Sequence, residues 1–205
     1  AGDTDFYSRW TAESHTVTYL AGSATGSVPT QADVDTDATF TLASDSTLTR
    51  SGYTFAGWAA NGSTYPVGFT YTAGSNDMTF TASWSANLHH YVFVSGDGAV
   101  GTVPDAFDVP TDASADFAQP NLTRPGYDFA GWTDGTTTYT LSDFVTPNGV
   151  TPDLVFLAPV WTAQTHTVTY DLNGGAGTTP TQADAATNTV FSVAEVGSVS
   201  RDGFT

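Results

Sequence analysis

One pattern, recurring at nearly constant spacing, limits what this chain can fold into. Arg50-Ser51-Gly52-Tyr53-Thr54-Phe55-Ala56-Gly57-Trp58 returns as Arg124-Pro125-Gly126-Tyr127-Asp128-Phe129-Ala130-Gly131-Trp132. It starts again as Arg201-Asp202-Gly203-Phe204-Thr205. Other landmarks keep step. His15, His90 and His166 head similar segments 75 and then 76 residues apart, and Pro29, Pro104 and Pro180 follow the same spacing. Trp10, Trp84 and Trp161 recur after 74 and 77 residues. From His15 to Arg50 the first and third copies align without a gap at an offset of 151 residues. Self-similarity of this period means one structural unit used several times. A catalytic site usually needs to occur only once.

The repeat divides the chain four ways. Residues 1–12 read as the closing strand of a preceding copy. Residues 13–86 and 87–163 read as two complete copies, and residues 164–205 as the first half of another. The joining segments, Ser85-Ala86-Asn87-Leu88 and Thr162-Ala163-Gln164-Thr165, are only a few residues long. Linkers this short restrict hinge motion and favour an extended rod. Residues 164–205 hold no counterpart of Phe55–Trp84, so open strand edges are expected there and order only with outside support. Asp5–Trp10 of a neighbouring molecule, beside His166–Tyr170, is one conceivable support and would propagate head to tail. A window cut from a longer continuous array is the simpler reading.

Within a copy the periodicity is that of strands. In Tyr53–Trp58 aromatic residues alternate with small or polar ones, the mark of a half-buried strand. The glycine ahead of each run predicts a turn. The glycine inside it predicts a bulge or a close backbone approach. Asn61-Gly62 and Asp134-Gly135 predict tight hairpins, with partner strands holding Tyr65 and Tyr139. Met78–Trp84 and Leu154–Trp161 read as closing strands, and Phe40–Leu42 as a further one. Pro29-Thr30-Gln31-Ala32 and the acidic stretch after it leave room for one short helix or 3₁₀ turn. No segment has the length and period of a substantial amphipathic helix.

Thr167-Val168-Thr169-Tyr170-Asp171-Leu172-Asn173-Gly174-Gly175, then Pro180-Thr181-Gln182-Ala183, the Arg-x-Gly-Tyr-x-Phe-x-Gly-Trp run and a closing Trp-Ser-Ala or Trp-Thr-Ala together resemble the Listeria–Bacteroides repeat, the B-repeat of internalin-type surface proteins. The resemblance covers essentially the whole chain. It implies mainly β units, α+β and β-grasp-like, of about 75 residues, with a mixed sheet and little helix. It also implies tandem use on bacterial surface proteins, as spacers or adhesive modules without an enzymatic role. The second copy departs from the pattern, opening Tyr91-Val92-Phe93-Val94-Ser95-Gly96-Asp97-Gly98. It also carries Pro159 two residues before Trp161. If the closing strand is central, as in a β-grasp, Pro159 removes a ladder hydrogen bond, so a bulge or an edge position is expected there.

Charge narrows the partners. Four arginines and no lysine stand against 21 acids, a net charge of −17. Such a chain repels nucleic acid and anionic membranes, because phosphate binding requires Lys and Arg. Residues 13–86 carry six acids, 87–163 nine and the remaining segments six. Acids spread so evenly read as a solubilising surface and not as a binding tail. Without cysteine there is no disulfide, zinc-thiolate, iron–sulfur or cysteine-nucleophile chemistry. Without lysine there are no Lys–Asn isopeptide braces, so stability rests on packing. A unit of about 75 residues buries only about 60–65% of its unfolded surface, and contacts between neighbouring repeats are expected to add to it. No apolar run approaches the roughly 20 residues of a membrane span, and no signal peptide is recognisable.

Candidate sites fall short one by one. Asn173-Gly174-Gly175-Ala176-Gly177 lacks the lysine and following helix of a phosphate loop and reads as a turn. Asp33, Asp35 and Asp37 have the spacing of the first calcium-loop ligands. The glycine and glutamate that should follow are Ala38 and Ser44, which leaves a solvated acidic loop. His15, His90 and His166 read as strand-edge hydrogen-bonding residues. His89 and His90 point to opposite strand faces and chelate poorly. No Gly-x-Ser-x-Gly elbow or glycosidase carboxylate pair stands out. The five tryptophans recur at matched positions and are read as core; exposed, they would be a sugar platform.

The expectation is therefore a non-enzymatic spacer or stalk of a bacterial surface adhesin or filament protein, extracellular and cell-wall associated. It has no catalytic, cofactor or metal residues. Its partners are neighbouring repeats of the same chain, with like molecules head to tail and host or surface glycans or proteins as further candidates; nucleic acid and membrane insertion of this segment are not expected. The alternative is a glycan- or host-protein-binding module acting through exposed aromatics or sheet edges.

Overall fold

A computed structural model describes Gly2, residues 4–44 and residues 47–204. Ala1 and Asp3 of the proposed closing strand, Asp45 of the acid count and Thr205 of the third Arg motif lie outside the described residues. By their contacts the chain falls into two compact units. The first runs to His89 and adds Asp108–Ser114 and Thr146–Asp153; the second holds His90–Phe107, Ala115–Val145 and the chain from Leu154 onward. These units do not follow the sequence repeats: two loops of the second repeat pack with the first.

The first repeat contains β1 (Ser14–His15), β2 (Val17–Leu20), β3 (Val34–Asp35), β4 (Thr39–Thr41), β5 (Tyr53–Ala60), β6 (Ser63–Tyr65), β7 (Thr70–Thr72) and β8 (Met78–Ala86). Four make a sheet in the order β2-β8-β5-β6, while β1 pairs β3 and β4 pairs β7. The first long strand lies parallel to the last, with Val17 opposite Met78 and Tyr19 opposite Phe80. All other pairings are antiparallel. The second repeat has β9 (Leu88–Phe93), β10 (Val100–Thr102), β11 (Phe107–Pro110), β12 (Ala115–Asp116), β13 (Asn121–Thr123), β14 (Tyr127–Thr133), β15 (Thr138–Tyr139), β16 (Phe144–Val145) and β17 (Leu154–Ala163). Its sheet runs β11-β9-β17-β14-β15, again with the first strand parallel to the last.

The tryptophan at the end of each aromatic run fills the core. Trp58 and Trp132 are both fully buried. Trp58 stands 4.5 Å from Tyr19 and Trp132 stands 4.6 Å from Phe93, ring centre to ring centre. Each indole N–H donates to a backbone carbonyl, Ala43 or Ala118, which removes the cost of burying it. The glycine just before each tryptophan sits at a register shift in the pairing with the closing strand. Its φ is 134° at Gly57 and 149° at Gly131. A Cβ there would come within 2.2 Å of the Tyr65 carbonyl oxygen or 2.1 Å of that of Tyr139. Bulge and close approach are thus one feature, available only to glycine.

Four expectations need correction. First, no helix occurs among the described residues, so the helical part of the α+β expectation is not met. The segment after Pro29 has no regular structure until Val34–Asp35, which pairs with Ser14–His15. Second, His90 is not the counterpart of His15. His89 is buried, as His15 is, while His90 is exposed. Tyr91 and Phe93 take the inward places of Val17 and Tyr19, facing Val155 and Leu157 as those face Met78 and Phe80. A slip of one residue would turn the whole strand inside out. Third, Pro159 lies opposite Trp132 in a strand that is central to the sheet and has no bulge of its own, and it meets the expected edge position only locally. The Leu157 carbonyl accepts from Val94 on the β9 side; two residues on, Pro159 faces that same side just past the last pair, Leu157–Phe93. Its missing N–H falls where the ladder has already ended. Fourth, Asn61-Gly62 makes a two-residue turn joining Ala60 to Ser63, but Asp134-Gly135 opens a longer loop, with Thr133 opposite Thr138.

At the chain's ends, Asp5–Trp10 carries no strand, and Trp10 is 91% exposed. The third copy forms β18 (Thr165–His166), β19 (Ala176–Gly177), β20 (Ala185–Ala186) and β21 (Val199–Ser200), paired β18 with β20 and β19 with β21. Residues 167–170 do not continue the strand. The physical reason is that Val17–Leu20 owes its ladder to the closing strand β8, and among the described residues no such strand pairs beside Val168.

Candidate functional site

No group of three or more His, Asp or Glu side chains among the described residues could hold a metal ion. Asp37 is used locally. It takes a left-handed φ of 64°, and its N–H donates to the Ala73 carbonyl. Asn173-Gly174 makes a turn in which the Gly175 N–H donates to Leu172, and Gly177 then passes against the Ser198 carbonyl. The open cavity of about 490 Å³ in the third copy is walled by Tyr170, Pro180, Val199, Arg201 and Phe204. One wall is a core position of the repeat, since the counterparts of Tyr170 are Tyr19 and Phe93, the residues against Trp58 and Trp132. One cluster has shifted acidities. Burial, then the charges of Tyr139 and Asp134, push the Tyr91 phenol up to about 12. Burial pushes Asp134 up, but the amides of Thr137 and Thr136 and the Tyr139 hydroxyl outweigh it and hold the carboxyl low. That carboxylate fixes the 134–137 loop.

The polar constellation that does recur is at the joint between repeats, and both copies of it lie inside a compact unit. It begins with a turn. The Tyr53 N–H donates to the Arg50 carbonyl at 3.0 Å, as Tyr127 does to Arg124 at 3.0 Å. Gly52 and Gly126 supply the left-handed residue, with φ of 78° and 77°. The Arg50 guanidinium lies 3.6 Å from the Tyr53 ring centre, and Arg124 lies 4.2 Å from that of Tyr127. Such a cation–π contact contributes about 0.5–1 kcal/mol at an exposed site and keeps the phenol upright.

The turn docks on the next repeat. At the first joint the strands β8 and β9 are separated by Asn87 alone, whose amide, carbonyl and side-chain oxygen are all bonded. Its N–H donates to the Gly52 carbonyl at 2.9 Å, and its carbonyl accepts the Thr111 N–H at 2.9 Å. Its side-chain oxygen accepts from Thr54 at 2.7 Å. The Tyr53 hydroxyl donates to Asp112 at 2.8 Å. A Cβ at Gly52 would meet the Thr111 methyl at 2.7 Å. Ser51 donates to the Gly149 carbonyl at 2.8 Å. Beneath this, His89 is buried, with Nε2 at 2.9 Å from the Thr111 hydroxyl and Nδ1 at 3.1 Å from the Pro152 carbonyl. The second joint repeats the plan with Gln164, whose N–H donates to Gly126 and whose carbonyl accepts from Thr187, both at 2.8 Å. Asn188 donates to the Tyr127 hydroxyl at 2.9 Å, Gln164 donates to Asp128 at 2.6 Å, and His166 stands 2.9 Å from Thr187. Donating its proton to Asp112 raises the Tyr53 phenol above its ordinary value; desolvation and the carboxylate charge add to this, while Arg50 pulls the other way.

Sequence reasoning assigned His15, His90 and His166 to strand-edge hydrogen bonding; His15 and His166 each bond a threonine, and in the second copy it is His89 that bonds Thr111. It did not single out the joint residues. The available signal was the recurrence of Thr36-Asp37, Thr111-Asp112 and Thr187-Asn188 at the repeat spacing.

With this geometry in hand, comparison with known proteins is decisive on one point. The model of the Listeria-Bacteroides repeat domain matches residues 15–83 and again 91–158, more than half of the chain. The chain belongs to this family. Over 190 residues it is 28% identical to a protein of Evansella cellulosilytica named "Putative Gly-rich membrane protein", covering 84% of this chain but 21% of that one. A second protein of that organism, named "Putative membrane protein", is 33% identical over 86 residues, 40% of this chain and 13% of the relative. The chain therefore spans about a fifth or less of these relatives. No solved structure matches it. No helix among the described residues is long and apolar enough to cross a membrane.

Proposed function

We propose that this segment is a non-enzymatic spacer in a bacterial surface protein, extracellular and cell-wall associated, whose repeats hold a distal domain at a set distance and orientation. The observation that carries the reading is the joint. A single linking residue has its amide, carbonyl and side chain all bonded, and the same joint occurs twice. A binding module needs no such investment in the connection between units. The burial of Trp58 and Trp132 supports it, since these indoles are no sugar platform. The names of the relatives, which call them membrane proteins, agree with surface attachment. We read each repeat as a β-grasp-like sheet that dispenses with the helix, because its first and last strands lie parallel side by side within a mixed sheet. The test is to replace the repeats in the parent protein by an unrelated rigid spacer of equal span. Retained surface display and partner recognition fits a spacer; their loss means the repeats bind something themselves.

One observation favours that second reading. On the outer face of the second sheet Leu154 and Phe156 are about half exposed, where the first repeat carries Asp77 and Thr79. Glycan and protein arrays probed with the chain and with Phe156→Thr test it, and binding lost in the variant would favour the module.

A further inference from the structure

The joint has two halves, a turn and a loop, and the first repeat owns both. Its turn is the one docked through Tyr53 on Asp112. Its loop, Thr36-Asp37, has the form of the two docked loops. Asp37 has φ 64°, against 63° at Asp112 and 60° at Asn188. The Ala38 N–H donates to Asp35 at 3.0 Å, as Ala113 does to Pro110 at 3.0 Å and Thr189 to Ala186 at 3.1 Å. The Asp37 N–H donates to Ala73 at 3.0 Å, as that of Asp112 does to Pro147 at 2.8 Å. The Glu13 carbonyl accepts the Thr36 N–H at 2.9 Å, the service that Asn87 and Gln164 give to Thr111 and Thr187. His15 Nε2 lies 2.8 Å from the Thr36 hydroxyl. The loop is built to the same pattern, and Asp37 is exposed.

A second, independent feature lies in the segment leading to Glu13. Trp10-Thr11-Ala12 corresponds to Trp84-Ser85-Ala86 and Trp161-Thr162-Ala163. In those two places the indole packs edge-on against the phenylalanine of the aromatic run, Trp84 on Phe55 at 5.3 Å and Trp161 on Phe129 at 5.7 Å. Trp10 is 91% exposed and Phe6 93% exposed. The loop calls for an Arg-x-Gly-Tyr turn, and the indole calls for the Tyr-x-Phe strand that continues that turn. One element satisfies both.

We propose that Thr36, Asp37 and Trp10 form a docking surface for the Arg-x-Gly-Tyr-x-Phe element of another repeat of this kind, joined in cis through residues 5–12. Its tyrosine donates to the Asp37 carboxylate, its glycine lies against the Thr36 methyl, and its phenylalanine covers Trp10. A second copy of the chain is disfavoured as occupant. Both docked loops take their turn from the repeat directly joined to them, and chains of net charge −17 repel one another. The inference goes beyond the spacer reading, because it holds whatever the array carries.

The test is carboxylate labelling by a water-soluble carbodiimide, followed by mass spectrometry. In the full chain, Asp112 should label more slowly than Asp37, and the Asp37 rate should not depend on protein concentration. Placing a further copy of residues 13–77 directly ahead of Thr4, so that residues 5–12 close its sheet, should slow Asp37 to the Asp112 rate and shift Trp10 emission to the blue. Tyr→Phe at the added copy's position 53 should restore the original Asp37 rate while leaving the emission shift. Asp37 labelling unchanged in the longer chain overturns the proposal. So does protection of Asp37 in the original chain that grows with concentration, which would assign the surface to a second copy.

Discussion

The two joints share a backbone and reverse their side-chain polarity. In the first, the phenol of Tyr53 donates to a carboxylate and the linking residue Asn87 accepts from Thr54. In the second, the phenol of Tyr127 accepts from Asn188 and the linking residue Gln164 donates to Asp128. The shared part is what no side chain can alter: the linking amide to the glycine carbonyl, and the linking carbonyl to the threonine amide of the next loop. Docking geometry is therefore set by backbone groups and by the missing Cβ of glycine, and the side chains need only stay complementary in pairs. Buried groups would be expected to hold such pairs tightly; at an exposed joint each is worth about 0.5–1.5 kcal/mol.

The largest effect comes from removing the scaffold under one joint. Trp58→Ala should destabilise the first repeat, and Trp132→Ala the second, by about 3–5 kcal/mol each, the usual cost of truncating a buried aromatic. In calorimetry each variant should lose one repeat's share of the unfolding enthalpy. Trp58→Ala should free the turn of the first joint and Trp132→Ala that of the second. Wild-type melting in either would place the indole at the surface.

Gly52→Ala and Gly126→Ala come next. Both positions are left-handed, and an added Cβ would meet a threonine methyl at 2.7 or 2.6 Å, so each should cost about 1–3 kcal/mol. Equal losses in denaturant melts would confirm that the two joints are one geometry. A loss at only one would break the comparison.

The hydroxyls should separate the joints more finely. Tyr53→Phe and Tyr127→Phe should each cost about 1 kcal/mol or less. Asp112→Asn should be nearly neutral beside a phenol that can donate. Asn188→Asp should also be tolerated, but only if the Tyr127 hydroxyl turns round to donate. A double-mutant cycle with Tyr127→Phe reads that reversal as a retained coupling.

Alkaline pH gives the smallest effect and the sharpest contrast. The folded-state acidity constant of Tyr53 is shifted upward, chiefly by its hydrogen bond to Asp112. Its stabilisation is therefore fully present below the ordinary tyrosine value near 10 and is lost as pH rises through the folded value. Above that point phenolate and carboxylate repel across the first joint. At the second joint the hydrogen-bond partner of the phenol is the neutral amide of Asn188. Absorbance titration of tyrosinate should show one tyrosine fewer titrating late in Asp112→Asn; an unchanged curve would count against the bond.

How much of this was legible in the sequence follows from what each feature rests on. The aromatic runs, the bulge glycines and the closing strands were readable, because burial and positive φ restrict residue type. Trp58, Trp132, Gly57 and Gly131 admit few substitutes. The register of β9 was not, because the doublet His89-His90 fits two alignments. Only the inward places of Tyr91 and Phe93 decide between them. The short helix was expected from proline and acidic residues, which say where a strand is interrupted and not what replaces it. The joint left almost no pattern, since Asn87 and Gln164, or Asp112 and Asn188, differ in identity while their backbones do the same work. Polar complementarity conserves a relation between residues and lets the residues themselves change.

The placing of the terminal strands bears on how a repeat would respond to pulling. The chain enters the first sheet at Val17 and leaves it past Ala86, and β2 and β8 lie parallel and adjacent, paired from Val17–Met78 to Leu20–Thr81. Tension applied at the two ends slides these strands past each other lengthwise. The bonds of that ladder then share the load and must fail together, whereas an antiparallel hairpin pulled at its open end gives way one bond at a time. Because Asn87 alone separates β8 from β9, the tension passes from one central strand straight into the next, with no slack loop to absorb it. Stretching a single chain should therefore give abrupt, widely spaced force peaks, one for each complete repeat.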